Sequence, residues 1–268
     1  MGVDLMWRHA HVSVRGTSHA KTGKPCQDYS LCRTLIGPDG REVLLAAASD
    51  GAGSAERSDE GSRLACTMFA DAVERHLADG GRVEQLTRAF FEAWLGRFQR
   101  AVRALAAEAG CRSREFACTF LAAIVGGDEA VFVQIGDGAI VFSEKEDAYM
   151  WEFWPQQGEY ENTTYFATQN GAKKYLQHSL HTGRTYGEIA VFTDGLQRLA
   201  LHYQSRTAYE PFFRPFFSVL RRLNAGEEVR YGDSLRAFLD SGRVNERTDD
   251  DKTLVVATRQ IPQAAKPS

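Results

Sequence analysis

Apolar residues in this chain fall into two kinds of run. The first kind is short and unbroken: VLLAAASD at 43–50, ACTFLAAIV at 117–125, AVFVQIGD at 130–137, GAIVFSE at 138–144, EIAVFTD at 188–194 and TLVVATR at 253–259. Runs of this length bounded by turn formers predict buried strands. HVSVR at 11–15 alternates and predicts a further strand. The GGDE and DG turns between the three runs of 117–144 predict a meander. The second kind recurs every three or four residues. Leu64, Met68, Ala72 and Val73 predict a helix over 57–78; Phe90, Phe91, Trp94, Phe98, Val102 and Leu105 predict another over 83–109.

Other stretches lack a period. Residues 16–28 read as a loop rich in turn formers, and 145–187 are aromatic, polar and irregular over a length that suggests function. A helix-rich part follows to about 242, interrupted by Pro211 and Pro215, in which Phe212, Phe213, Phe216 and Phe217 predict a core-facing helix. There is no internal repeat and no low-complexity linker. The pattern predicts one mixed, layered α+β domain over 1–260 and a disordered tail over 261–268.

Composition narrows the function. The 268 residues carry a formal charge of −3, which argues against a dedicated nucleic-acid binder. The first ten residues lack a long apolar run, so neither a signal nor an anchor is expected, and no segment reaches the roughly 18 apolar residues of a membrane span. Neither nucleic acid nor membrane is therefore expected as a partner. The five cysteines include no CxxC pair, which points to reduced thiols and a cytoplasmic location. Cys26 lies near His19, but Gln-Asp-Tyr follows it where a cysteine phosphatase needs a phosphate-cradling loop ending in Arg. It reads as a small, partly buried thiol.

The chemistry concentrates in carboxylates. Two predicted strands end in Asp-Gly, at Asp50-Gly51 and Asp194-Gly195, and Asp249-Asp250-Asp251 precedes a third. Each pair alone reads as a turn. Converging on one sheet edge, such carboxylates repel one another unless cations neutralise them, and Mg²⁺ or Mn²⁺ suits oxygen ligands.

Six motifs in order carry a resemblance: Gln27-Asp28, Ser49-Asp50-Gly51-Ala52-Gly53, Ala117-Cys118-Thr119, Gly136-Asp137-Gly138, Thr193-Asp194-Gly195-Leu196 and Asp250-Asp251-Lys252-Thr253. Over residues 16–257 the chain resembles the protein phosphatase 2C (PP2C) family, and within it the bacterial stand-alone, PphC-like subgroup. The resemblance implies a four-layer α-β-β-α sandwich of two antiparallel sheets flanked by helices. It implies hydrolysis of phosphoserine and phosphothreonine in proteins by a hydroxide between two Mn²⁺ or Mg²⁺ ions, without a phosphoenzyme, opposite a Hanks-type kinase and its substrates. Asp50 would bridge the metals, with the Gly51 carbonyl on one. Asp194 and Asp250 would hold the other, Asp28 would support the site, and Asp137 would help to bind a third ion.

Some positions depart from the family. Gln27 and Ala52 stand where many members have Glu and His, and the phosphate-gripping arginine would fall near Gly23. His19, Lys21 or Lys24 is expected to supply the missing charge or the leaving-group proton, with His19 favoured because imidazole changes charge near neutral pH. The departures also leave open a pseudophosphatase that binds a phosphoprotein or kinase without turnover, and a hydrolase of another phosphoester.

Overall fold

The computed structural model describes residues 6–156, 164–224 and 226–259. Its strands are β1 Trp7–Val14, β2 Tyr29–Ile36, β3 Glu42–Ser49, β4 Phe120–Val125, β5 Glu129–Ile135, β6 Ala139–Ser143, β7 Tyr149–Trp151, β8 Gln177–Thr182, β9 Glu188–Phe192, β10 Leu201–His202, β11 Thr207–Ala208 and β12 Lys252–Arg259. Its helices are α1 Thr17–Thr22, α2 Ser58–Ala78, α3 Arg88–Glu108, α4 Gln197–Ala200, α5 Glu210–Leu220, α6 Glu228–Leu239 and α7 Gly242–Asn245. Two five-stranded antiparallel sheets form, in the orders β1-β12-β9-β6-β7 and β2-β3-β4-β5-β8. This is the expected four-layer sandwich. None of the described helices is long and apolar enough to cross a membrane.

The unbroken apolar runs have a simple cause: both faces of the central strands are covered. On β3, Leu44, Ala46 and Ala48 face the opposite sheet, while Val43, Leu45 and Ala47 join the core under α2 and α3. On β12, Val255 and Ala257 point between the sheets, and Leu254 and Val256 point toward α5 and α6. Side chains alternate with period two, so a strand covered on both sides has no polar face to show.

Several expectations are corrected. The run 117–144 is not a meander: β4 pairs with β5, but β6 leaves for the other sheet and pairs with β9 and β7. Gly136, at φ 115°, and Gly138, whose Cβ would come 2.6 Å from the Phe192 carbonyl, make that corner. The buried stripe of α2 is Ala65, Cys66, Phe69, Ala70, Val73 and Leu77, with Leu64, Met68 and Ala72 on its flank. Gly61 packs directly on the Phe116 carbonyl and seats the start of the helix against that segment. The predicted helix 83–109 is a 3-10 turn over Val83–Gln85 followed by α3. The loop 16–28 contains α1, and 145–187 contains β7 and β8. Pro215 lies inside α5, whose Phe212, Phe213, Phe216 and Phe217 are buried as expected. The tail 261–268 lies outside the described residues.

Candidate active site

Antiparallel pairing brings strand starts and strand ends to the same edge. Tyr29 pairs with Ser49, so Asp28 and Asp50 are neighbours just beyond their strands. Phe192 pairs with both Ala139 and Leu254, which carries Asp194, Asp137 and Asp250 to one rim. Five carboxylates separated by up to 222 positions in sequence thus gather at one end of the sandwich.

Asp50, Asp137 and Asp194 form the tight group: each offers a carboxylate oxygen within 4.8 Å of the others. Asp28 and Asp250 stand outside that trio, yet both lie close enough to raise the Asp50 carboxyl through repulsion. Burial, then Asp194 and the remaining neighbours, pushes Asp50 well above the usual carboxylate range. Burial, then Asp137, Asp250 and Asp28, does the same to Asp194. Asp28 is pushed up to about 7, by burial first and Asp251 second. None of the lysine or arginine ion pairs among the described residues ends on these five groups.

A hard divalent cation fits this donor set. All the converging donors are carboxylate oxygens, the preferred ligands of Mg²⁺ and Mn²⁺. Asp28 Oδ1 and Asp137 Oδ1 are enclosed with no hydrogen-bond partner, a state that costs free energy unless something positive completes it.

The scaffold around the carboxylates is specific. The Thr119 hydroxyl accepts from the Asp50 backbone N–H at 3.0 Å, so it orients the chain rather than a carboxylate. The Thr193 hydroxyl donates to Asp28 Oδ2 at 2.7 Å and accepts from the Thr253 N–H at 3.1 Å. A Cβ on Gly51 would come 2.5 Å from the Gln27 carbonyl, so only glycine lets this loop lie against residue 27. Gln27 itself donates from Nε2 to the Ala55 carbonyl at 2.8 Å and clamps the loop.

His19 is brought to this edge. It sits on α1, buried, with Nδ1 2.9 Å from Asp251 Oδ2 and Nε2 3.6 Å from the place a Cβ would take on Gly53. Asp251 also accepts from the backbone N–H groups of Gly16 and Gln27, each at 2.6 Å. This anchoring role was missed in the sequence, where three identical acids stand in a row and only the pairing of β12 tells them apart. Lys24 reaches the Gly53 carbonyl at 2.5 Å, and Lys21 is exposed. Burial, then Asp28 and Asp251, pushes the Cys26 thiol far up, which leaves it a poor nucleophile.

The described aromatics between 151 and 165 do not form one unit. Trp151 and Trp154 pack at the margin of the core under α5 and α6, Phe153 between the sheets, and Tyr165 beside α3's core, stacked on Tyr175. Gly158, Glu159 and Tyr160 lie outside the described residues.

A family model described as protein phosphatase 2C matches residues 15–240. Serine/threonine-protein phosphatase 3 of Escherichia coli (strain K12) is 37% identical over 256 residues, covering 94% of this chain and 98% of the relative. Solved structures share the fold. Serine/threonine phosphatase Stp1 from Staphylococcus aureus matches with a TM-score of 0.60 at 14% identity, covering 98% of each chain. PppA, described as a key regulatory component of T6SS in Pseudomonas aeruginosa, matches with a TM-score of 0.62 at 16% identity, covering 96% of this chain and 99% of its own. Sequence kinship along nearly the whole chain and a carboxylate rim in need of cations lead to one assignment: the chain belongs to the protein phosphatase 2C family and is a metal-dependent phosphatase of that type.

Proposed function

We propose that this protein removes phosphate from phosphoserine and phosphothreonine in proteins, with two Mn²⁺ or Mg²⁺ ions held at the carboxylate rim. The observation that carries the reading is the convergence of Asp50, Asp137 and Asp194, on which no lysine or arginine ion pair among the described residues ends. Asp50, Asp137, Asp194 and Asp250 would hold the ions, Asp28 would support the set, and the Gly51 carbonyl would be available beside Asp50. Asp137, rather than Asp250, completes the tightest trio, which gives it a larger part than a third, looser ion alone requires. Divalent cations bound there supply Lewis acidity, acidifying water and offsetting charge on the phosphoryl oxygens.

The protein's own residues do the rest. Phosphoryl transfer needs positioning and electrostatic stabilisation more than covalent chemistry, and the Thr119 and Thr193 bonds fix Asp50 and Asp28 in place. His19 gives the leaving seryl or threonyl oxygen its proton. The Asp251 carboxylate turns Nδ1 inward and leaves Nε2 toward the Asp50–Gly53 loop. The physiological partners in this reading are phosphoproteins made by a Hanks-type kinase.

Titrating Mn²⁺ against phosphopeptide hydrolysis, with Asp50→Asn as control, tests the reading. Saturable, Mn²⁺-dependent turnover lost in the variant supports it. Phosphopeptide binding without turnover at any Mn²⁺ concentration identifies a pseudophosphatase instead. His19→Ala is expected to lower turnover of a phosphopeptide far more than that of p-nitrophenyl phosphate, whose leaving group needs no proton; equal losses on both substrates end that role.

A further inference from the structure

Two segments remote in sequence are tied to the Asp137 corner from opposite sides. On one side, the Gln156 N–H bonds the Gly136 carbonyl at 3.3 Å, while Gln156 Oε1 accepts from the Gly136 N–H at 2.7 Å. On the other, Gln197 Nε2 donates to the Asp137 carbonyl, and the Tyr203 hydroxyl donates to Gln197 Oε1. These ties bring Trp154, two residues before Gln156, against the hairpin of β10 and β11. Its ring stands edge-on to Tyr203 at 5.4 Å between centroids, and the Arg206 guanidinium lies over it at 5.3 Å. Trp151 locks the arrangement, donating from Nε1 to the Arg206 carbonyl at 2.7 Å and meeting Trp154 edge-on at 5.3 Å.

This shelf borders the carboxylate rim. Tyr203 is 42% exposed and yet close enough to Asp137 and Asp194 to feel their charge. Arg206 holds φ at 53°, a left-handed conformation that a non-glycine residue adopts at a cost and keeps where its surroundings impose it. A guanidinium stacked on an aromatic face keeps its N–H edges available for a carboxylate or phosphate fork. Arg198, also exposed, lies within electrostatic reach of Tyr203. The shelf is thus an aromatic surface with positive charge at its margin, beside the proposed reaction centre and built from a different part of the chain.

We infer that Trp154, Tyr203 and Arg206 form a substrate subsite that receives an anionic side chain flanking the phosphorylated residue of a protein substrate. The inference rests on the proposed phosphoprotein phosphatase reading and deepens it. Trp154 and Tyr203 supply flat contact area for the peptide chain at low entropic cost, and Arg206 selects the anion. A carboxylate and a second phosphate share the chemistry Arg206 recognises.

The test is a set of phosphopeptides alike except at the residues flanking the phosphoserine, which are glutamate, phosphoserine, alanine or lysine. The wild-type enzyme is expected to favour the two anionic peptides over the alanine peptide by about fivefold to tenfold in kcat/KM. The preference is expected to arise in KM rather than kcat, and the lysine peptide is expected to rank last. Arg206→Gln is expected to bring the ratio of anionic to alanine peptide close to one, and Arg206→Lys to restore part of it. Trp154→Leu, which leaves the charge in place, is expected to raise KM for all four peptides. Measurable turnover of the alanine peptide reports that each variant is folded. A glutamate preference without a phosphoserine preference, or the reverse, identifies which anion the subsite serves. Equal kcat/KM across the wild-type series, or an Arg206→Gln ratio like that of the wild type, overturns the inference. Hydrolysis of p-nitrophenyl phosphate by the wild-type enzyme is the separate control: its absence with Mn²⁺ present brings down the phosphatase reading itself.

Discussion

Strand β9 carries an acid at each end, and the protein treats the two differently. Glu188, at its start, is nearly enclosed and meets Arg221, whose guanidinium also reaches Glu146 and Asp147. Burial pushes Glu188 up, and Arg221 opposes the push. Asp194, just past the other end, is pushed up by burial too, but its neighbours Asp137, Asp250 and Asp28 add to the push. One end is neutralised from within the chain. The other gathers like charges and leaves neutralisation to ions from solution. Unfavourable electrostatics kept in a defined place mark a binding site, because a fold selected for stability alone gains nothing from them.

The contrast is broken most directly by removing a carboxylate. Asp194→Asn is expected to lower phosphopeptide turnover by roughly a thousandfold, about 4 kcal/mol of lost transition-state stabilisation. The same change is expected to raise the melting temperature of the metal-free protein, since it relieves repulsion. A falling melting temperature on Asp194→Asn in chelator would show that the rim is a structural ion pair in disguise. Arg221→Met is expected to do the opposite. It strips Glu188 of its cation and lowers stability by about 3 kcal/mol whether or not Mn²⁺ is present, as a denaturant titration would record.

The pH dependence sharpens the same point. In the folded, metal-free protein Asp28 is pushed up to about 7, whereas in the unfolded chain it titrates near the ordinary value of about 4. Between those values the folded state holds a proton that the unfolded state releases, so the contribution of Asp28 to stability is fully present below about pH 4 and is lost as pH rises to 7. Thermal melts in chelator are expected to fall over that window, and saturating Mn²⁺ to remove most of the fall, because it binds the ionised form. The smallest expected effect comes from Thr193→Val. It deletes the hydroxyl between Asp28 and the Thr253 N–H, and is expected to cost about 1–2 kcal/mol with a weaker apparent Mn²⁺ affinity.

How much of this was legible in the sequence depended on range. Strands buried on both faces leave an unbroken apolar run, so β3, β9 and β12 and the acids at their ends could be read directly. Helix α5 was readable for the same reason, from its four buried phenylalanines. The corner between β5 and β6 was not, because a strand's own pattern does not encode which sheet it joins. Helix α1 was hidden by its six-residue length, too short for a period. β8 was hidden by its polar, half-exposed composition, QHSLHT. Among the site residues, Asp50 and Asp194 were announced by their Asp-Gly pairs. Asp251 was not, since its part is set by three donors from residues 16–27 that only the fold brings near. Tyr203 carried no motif at all.

The central claim is that the rim of Asp50, Asp137 and Asp194 exists to hold divalent cations. Anomalous diffraction at the manganese edge from a crystal soaked in Mn²⁺ tests it most directly. The account predicts strong peaks at the rim, at least one of them about 2.1 Å from carboxylate oxygens of both Asp50 and Asp194. A fully soaked crystal with no peak there, or with manganese bound only elsewhere on the molecule, would contradict it.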